Sequence, residues 1–297
     1  MSVKITKATD IDKVVIGYNE PVTVTKMGHL IEVQHMTHGN YKARIKKLSK
    51  YHYVDLSTGE IKEFELSETR ADNVNSVRQT FKKMRYLINN NFTGADNELF
   101  ITLTYSKQTR DHLQVGRDYV KFLQRLRRRY KGYQIEGIRI LEPHESGCWH
   151  LHALLKLVGA DTFDLDIQTL KDVWGLALKV DVQRLQNVDN IGAYLSAYLG
   201  NVEIPEGTTY NGAKEVVEHK GKKYIKGARL AFYPPGVNIF AKTPGLKYPE
   251  RQYMDYADIK KVVRSTKAHY RSSVTITDEK KNFTNTITYE QYNLKRQ

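Results

Sequence analysis

The sequence predicts an α+β fold, and three observations carry that prediction: a central β-hairpin, two segments with helical spacing, and two further strands. The hairpin comes from apolar runs at residues 138–141 and 151–157 that flank a loop containing Pro143 and Gly147, the pattern of two strands joined by a turn. Ahead of it, residues 99–105 have the length and β-branched content of a buried strand. Between them Tyr119, Phe122, Leu123, Leu126 and Tyr130 mark one face of a helix. After the hairpin a helix is expected over 166–174, followed by a strand in which Leu178, Val180 and Val182 alternate with Lys179, Asp181 and Gln183. The order is therefore β, α, β, β, α, β.

Both flanks extend this core. Residues 1–68 alternate short β-rich runs (22–26, 30–33, 51–54) with turn signals such as Ser57 to Gly59. From 70 to 90, Val74, Val77, Phe81, Met84 and Ile88 recur at helical spacing, with Arg78, Lys82, Lys83 and Arg85 interleaved. That basic face reads equally as solvated or as DNA-facing. Residues 207–227 are rich in Gly and Lys and read as loops. A helix follows at 253–270 with Lys260, Lys261, Arg264 and Lys267, and a terminal hairpin pairs 273–277 with 285–289. The sequence divides into a strand-rich module with its basic helix (1–96), a core (97–202) and a C-terminal region (203–297), the flanks being assigned to duplex recognition.

With 297 residues and 40% hydrophobic content the chain can bury a sizeable core. A net charge of +14 and a pI near 9.5 point to a polyanionic partner, nucleic acid being the commonest. Arg125, Arg127, Arg128, Arg129 and Lys131 concentrate this charge at one helix end, where cations also suit the helix dipole. The single cysteine, Cys148, leaves no internal disulfide and no cysteine-based zinc cage. No long apolar run and no signal-peptide core at residues 1–7 occur, so a cytoplasmic protein with no membrane partner is expected. No phosphate-binding Gly-x-x-x-x-Gly-Lys-[Ser/Thr] run is present, so helicase action would come from the host.

Two short stretches bear chemistry. In a strand alternate residues share a face, so His150 and His152 leave the sheet together. If the register sets Glu142 opposite His150, two nitrogens and an oxygen surround one point, a donor set suited to a divalent metal. Taken alone, His-x-His is more often a pair of ordinary histidines. Further on, Asp189 or Asn190 can cap a short helix that Gly200 stops, and Tyr194 and Tyr198 lie four residues apart, about 40° around its axis. They also continue the apolar stripe Ile191, Leu195, Leu199 and read as buried tyrosines on that ground. Thr102 and Thr104 share a strand face and either contact DNA, position the hairpin, or are simply good strand residues.

In combination, the Thr-Leu-Thr strand of residues 100–105, His150-Leu-His152 and Tyr194-Leu-Ser-Ala-Tyr198 resemble the HUH endonuclease superfamily, and more narrowly a rolling-circle replication initiator of a plasmid or phage. The resemblance covers residues 97–202, about a third of the chain. It implies an antiparallel, ferredoxin-like sheet flanked by helices and a metal, Mg²⁺ or Mn²⁺, on His150, His152 and a variable acidic ligand. Glu142 suits that last place better than His144 or Glu145. It also implies that Tyr194 and Tyr198 attack single-stranded origin DNA, leaving a 5′-phosphotyrosine link and a 3′-hydroxyl for a host polymerase, and later rejoin the ends. One departure stands out: where many relatives carry a lysine three residues after the tyrosine, this chain has Ala197 and Asn201. A relaxase or a transposase of the same superfamily shares this chemistry. Outside it, a non-catalytic nucleic-acid-binding protein would need neither metal nor tyrosine, and a metal-dependent hydrolase would cut without a protein–DNA adduct.

Overall fold

The computed structural model divides into two compact units, Met1–Leu66 with Pro249–Gln297, and Ser67–Tyr248. It describes residues 3–8, 15–39, 44–49, 51–65, 74–107, 109–144, 146–186, 188–203, 216–219, 222–225, 228–234 and 236–296. In chain order the elements are β1 (Val3–Ala8), β2 (Pro21–Met27), β3 (Leu30–Met36), β4 (Ile45–Lys47), β5 (His52–Asp55), β6 (Ile61–Glu63), α1 (Val74–Asn91), β7 (Glu98–Tyr105), α2 (His112–Arg129), β8 (Gln134–Pro143) and β9 (Trp149–Val158). There follow α3 (Ile167–Trp174), β10 (Ala177–Gln183), α4 (Ile191–Gly200), β11 (Val202–Glu203), β12 (Val216–His219), β13 (Lys222–Ile225), β14 (Phe240–Lys242), β15 (Arg251–Asp255), α5 (Tyr256–Val263), β16 (Tyr270–Asp278) and β17 (Phe283–Asn293).

The second unit holds the core read from the sequence, β7-α2-β8-β9-α3-β10, and the fold is α+β with antiparallel sheets. Its five strands lie in the order β10-β7-β9-β8-β14, with the long hairpin β8–β9 near the centre. Alternation decides what each face carries. Leu151, Ala153 and Leu155 pair with Leu103, Ile101 and Leu99 and are almost fully buried. Each helix begins and ends where the local chemistry directs. Asp111 accepts from Leu113 N at the start of α2, Asp166 accepts from Thr169 N at the start of α3, and Gly175 closes α3 in the left-handed region at φ 70°. The arginines at the end of α2 serve the fold. Arg125 donates to the carbonyls of Val173 (2.5 Å) and Trp174 (2.7 Å), which the end of α3 leaves without helical partners, and Arg127 donates to Ile135 O.

The first unit is built around the sheet β1-β16-β17-β3-β2-β15, with β4-β5-β6 as a separate small sheet. Its core joins Val22, Val24, Ile31 and Val33 to Tyr256, Ile259 and Val263 of α5. Three expectations differ from this structure. The division at 96/97 and 202/203 does not coincide with the two units, because β17 pairs with β3 and β15 with β2, stitching the C-terminal segment into the N-terminal sheet. The helix expected over 253–270 is only Tyr256–Val263: residues 251–255 pair as a strand, and Arg264 at φ 49° ends the helix. The Gly- and Lys-rich stretch after Asn201 contains a three-stranded sheet, β11-β13-β12, among its described residues. No helix among the described residues is long and apolar enough to cross a membrane.

Candidate active site

The β8–β9 register sets Glu142 opposite His150 and Ile140 opposite His152, so Glu142, His150 and His152 share one face of the sheet. Next to them on β7, Thr102 is paired with His152. His152 is 1% exposed and its ring lies parallel to Phe100 at 5.6 Å. Both of its nitrogens are engaged: Nδ1 with Thr102 Oγ1 at 3.0 Å, and Nε2 with Glu142 Oε2. His150 Nδ1 stands 4.0 Å from the same carboxylate oxygen, and the His144 ring lies 5.5 Å from that of His150. The loop is fixed from outside the hairpin by Trp149, whose indole Nε1–H donates to Arg110 O at 3.0 Å. Glu145 lies outside the described residues.

Burial sets the protonation of this group. Desolvation pushes His152 down to about 4, opposed by the Asp181 carboxylate, and desolvation lowers His150 too, with His152 and His144 adding to the effect. Near neutral pH the rings are uncharged and each has a lone pair to give. In the present arrangement His152 Nε2–H donates to Glu142 and Nδ1 accepts from Thr102. With Nε2 as a ligand, Nδ1–H donates to the same threonine, which therefore supports either tautomer. Among the described residues no group of three His, Cys, Asp or Glu side chains stands in metal-ligating geometry. Here Glu142 Oε2 fills the space between the imidazoles. The donor chemistry, two neutral imidazoles and a carboxylate, fits a divalent ion once that oxygen withdraws from Nε2.

The tyrosine segment is a helix, α4, capped by Asn190, whose side chain accepts from Ala193 N at 2.9 Å; Gly200 is its last residue and Asn201 its C-cap. Its start is locked onto α1. Asn89, buried in α1, accepts from Gly192 N at 2.8 Å and donates to Asn190 Oδ1 at 2.9 Å. At Gly192 the two backbones meet: a Cβ there would stand 2.6 Å from Arg85 O. Tyr194 is half-buried against the core, and Tyr198 lies in the last turn of α4, its side chain outside the described residues.

Arg229 was not singled out in the sequence. It sits on the 3₁₀ turn Ala228–Phe232, in a stretch with no periodic pattern, and that turn is held to β8 by Tyr233, whose hydroxyl donates to Leu141 O at 2.5 Å. The Arg229 guanidinium donates through Nε to Asn201 O at 3.0 Å and through Nη1 to Glu142 Oε1. One side chain thus joins the end of the tyrosine helix to the carboxylate beside the histidines. Burial lowers its pKa, with little consequence for so strong a base.

Residues 98–203 match the family of replication-associated proteins of the ORF2 type. This segment is a Rep-type replication domain. It runs from the first residue of β7 to the last of β11, so it takes in Glu142, His150, His152, Tyr194 and Tyr198 and stops short of Arg229. The Rep match gives the segment a role in rolling-circle DNA replication and, with it, origin DNA as a ligand. Among curated proteins none matches the chain.

Proposed function

We propose that the Rep segment nicks and rejoins single-stranded origin DNA through a tyrosine. The observation that carries this reading is the meeting of Glu142, His150 and His152 on one sheet face within the segment that matches the Rep family. A divalent ion, Mg²⁺ or Mn²⁺, held by these three side chains supplies Lewis-acid polarisation of the scissile phosphate. Tyr194 or Tyr198 then attacks phosphorus with its phenolic oxygen. The phenolic proton is lost, the P–O3′ bond breaks, and the 3′ oxygen takes up a proton to become a hydroxyl, while the 5′ side stays on the protein as a phosphotyrosine. A phenol with an ordinary pKa of about 10 needs help to do this at neutral pH, and a nearby cation provides it. The second tyrosine allows a second cut and religation after one round. The freed 3′ end suits a host DNA polymerase, and a host helicase would open the duplex. Relaxases and transposases share this chemistry; the Rep-family match favours replication over both.

The test is to mix the full chain with single-stranded oligonucleotides tiled across the intergenic region of its own replicon, add Mn²⁺, and run a denaturing gel. A covalent adduct that disappears with chelator and in the His150→Ala/His152→Ala double variant supports the reading. Cleavage without an adduct would replace it with a hydrolase, and binding with neither would replace it with a non-catalytic nucleic-acid-binding protein.

A further inference from the structure

Arg229 occupies a place that stability alone does not explain. Its partner Glu142 is 7% exposed as a side chain and Arg229 itself 18%, so the pair is drawn largely out of water. Such pairs give little net stability, since desolvation consumes most of the Coulombic gain. The location is more telling than the energy. α4 ends at Gly200 with no basic residue in its last turn, and a helix C-terminus carries partial negative charge. That end repels a phosphate or a phenolate, yet α4 bears both tyrosines. The guanidinium, fixed by Nε to the C-cap carbonyl of Asn201, puts a full positive charge there. From that anchor Nη1 reaches Glu142, on the sheet face of the histidines.

We infer that Arg229 is the cation that receives the scissile phosphate between α4 and the histidine cluster. With Nε held on Asn201 O, the Nη donors exchange Glu142 Oε1 for a non-bridging phosphate oxygen, and Glu142 is released toward the imidazoles. The exchange conserves charge: one anion leaves the guanidinium as another arrives. In the transfer itself Arg229 forms and breaks no covalent bond; it stabilises the extra negative charge on phosphorus as the phenolic oxygen bonds and the 3′ oxygen departs. The inference rests on the tyrosine-nicking reading, and it adds a residue outside the segment that matches the Rep family.

The experiment compares wild type, Arg229→Ala, Arg229→Lys and the double variant Arg229→Ala/Asn201→Lys in full-length protein, using the oligonucleotide that wild type joins covalently. Arg229→Ala should slow adduct formation by about a hundredfold, the effect of removing one donor from a developing oxyanion. A lysine at 201, beside the vacated guanidinium site, should recover at least about a tenth of the wild-type rate. A second readout needs no turnover. In the Tyr194→Phe/Tyr198→Phe background, replacing the scissile linkage by a neutral methylphosphonate should weaken binding about tenfold when Arg229 is present, and clearly less after Arg229→Ala. Adduct formation by Arg229→Ala at the wild-type rate overturns the inference and leaves nicking intact. Loss of activity that neither lysine variant restores, with methylphosphonate discrimination unchanged, shows a structural role and overturns it too. Absence of any adduct in wild type removes the nicking reading and this inference with it.

Discussion

At the scale of single residues the candidate site depends on who holds whom. Thr102 Oγ1, 3.0 Å from His152 Nδ1, fixes the ring so that Nε2 faces Glu142. Thr102→Val keeps the shape and removes the hydroxyl. It should weaken Mn²⁺ binding by roughly 10- to 100-fold, read from the free Mn²⁺ signal by electron paramagnetic resonance; unchanged affinity would show that the hydroxyl does not orient the ring. A different buried group tests the first unit. Glu290, 1% exposed, accepts from Tyr256 and Tyr292 and pairs with Arg271 at 2.9 Å. Glu290→Gln leaves that arginine without its counter-charge and should cost about 3–5 kcal/mol in urea unfolding of that unit. A loss below about 1 kcal/mol, the range of exposed pairs, would contradict the picture of a buried charge network. The sequence made the two histidines and Glu142 legible because strand alternation and hairpin register are local rules. It was silent on Arg229, whose partners are 28 and 87 residues away in the chain.

At the scale of elements, α4 depends on its contact with α1. Gly192 is there because the crossing leaves no room: a Cβ would stand 2.6 Å from Arg85 O and 2.8 Å from Asn89 Oδ1. Gly192→Ala should force the helices apart and lower stability by about 1–3 kcal/mol despite the better helix propensity of alanine. Because the same shift moves α4 relative to α1, covalent joining should fall more than folded population does. A variant as stable and active as wild type would show that the crossing tolerates a methyl group. Strands and helices of the core were readable from periodicity, and Asn190 as cap from its side-chain chemistry. Other elements were not. The helix expected to reach residue 270 stops at Val263, and β11–β13 are short strands in a Gly- and Lys-rich stretch where composition outweighs alternation. The arginines ending α2 show a further limit: their number suggested a DNA-binding cluster, whereas Arg125 and Arg127 are spent on carbonyls of α3 and β8.

At the scale of the whole molecule, the net charge of +14 governs encounter with nucleic acid. Affinity for a single-stranded oligonucleotide should fall more than about tenfold between 50 and 200 mM salt, following the release of counterions; a salt-independent affinity would contradict a phosphate-dominated interface. The division into two units was hidden from the sequence because β17 and β3 pair across some 250 residues, and no local signal announces a strand partner that distant. Order along the chain was legible, and long-range pairing was not. Transfer of DNA to a tyrosine of α4 is the central claim, and locating the adduct tests it most directly. After reaction with Mn²⁺, proteolysis and tandem mass spectrometry should place a nucleotide on Tyr194 or Tyr198, and the corresponding Phe variant should lose it. A nucleotide on any other residue, or an adduct that survives Tyr194→Phe combined with Tyr198→Phe, would contradict the account.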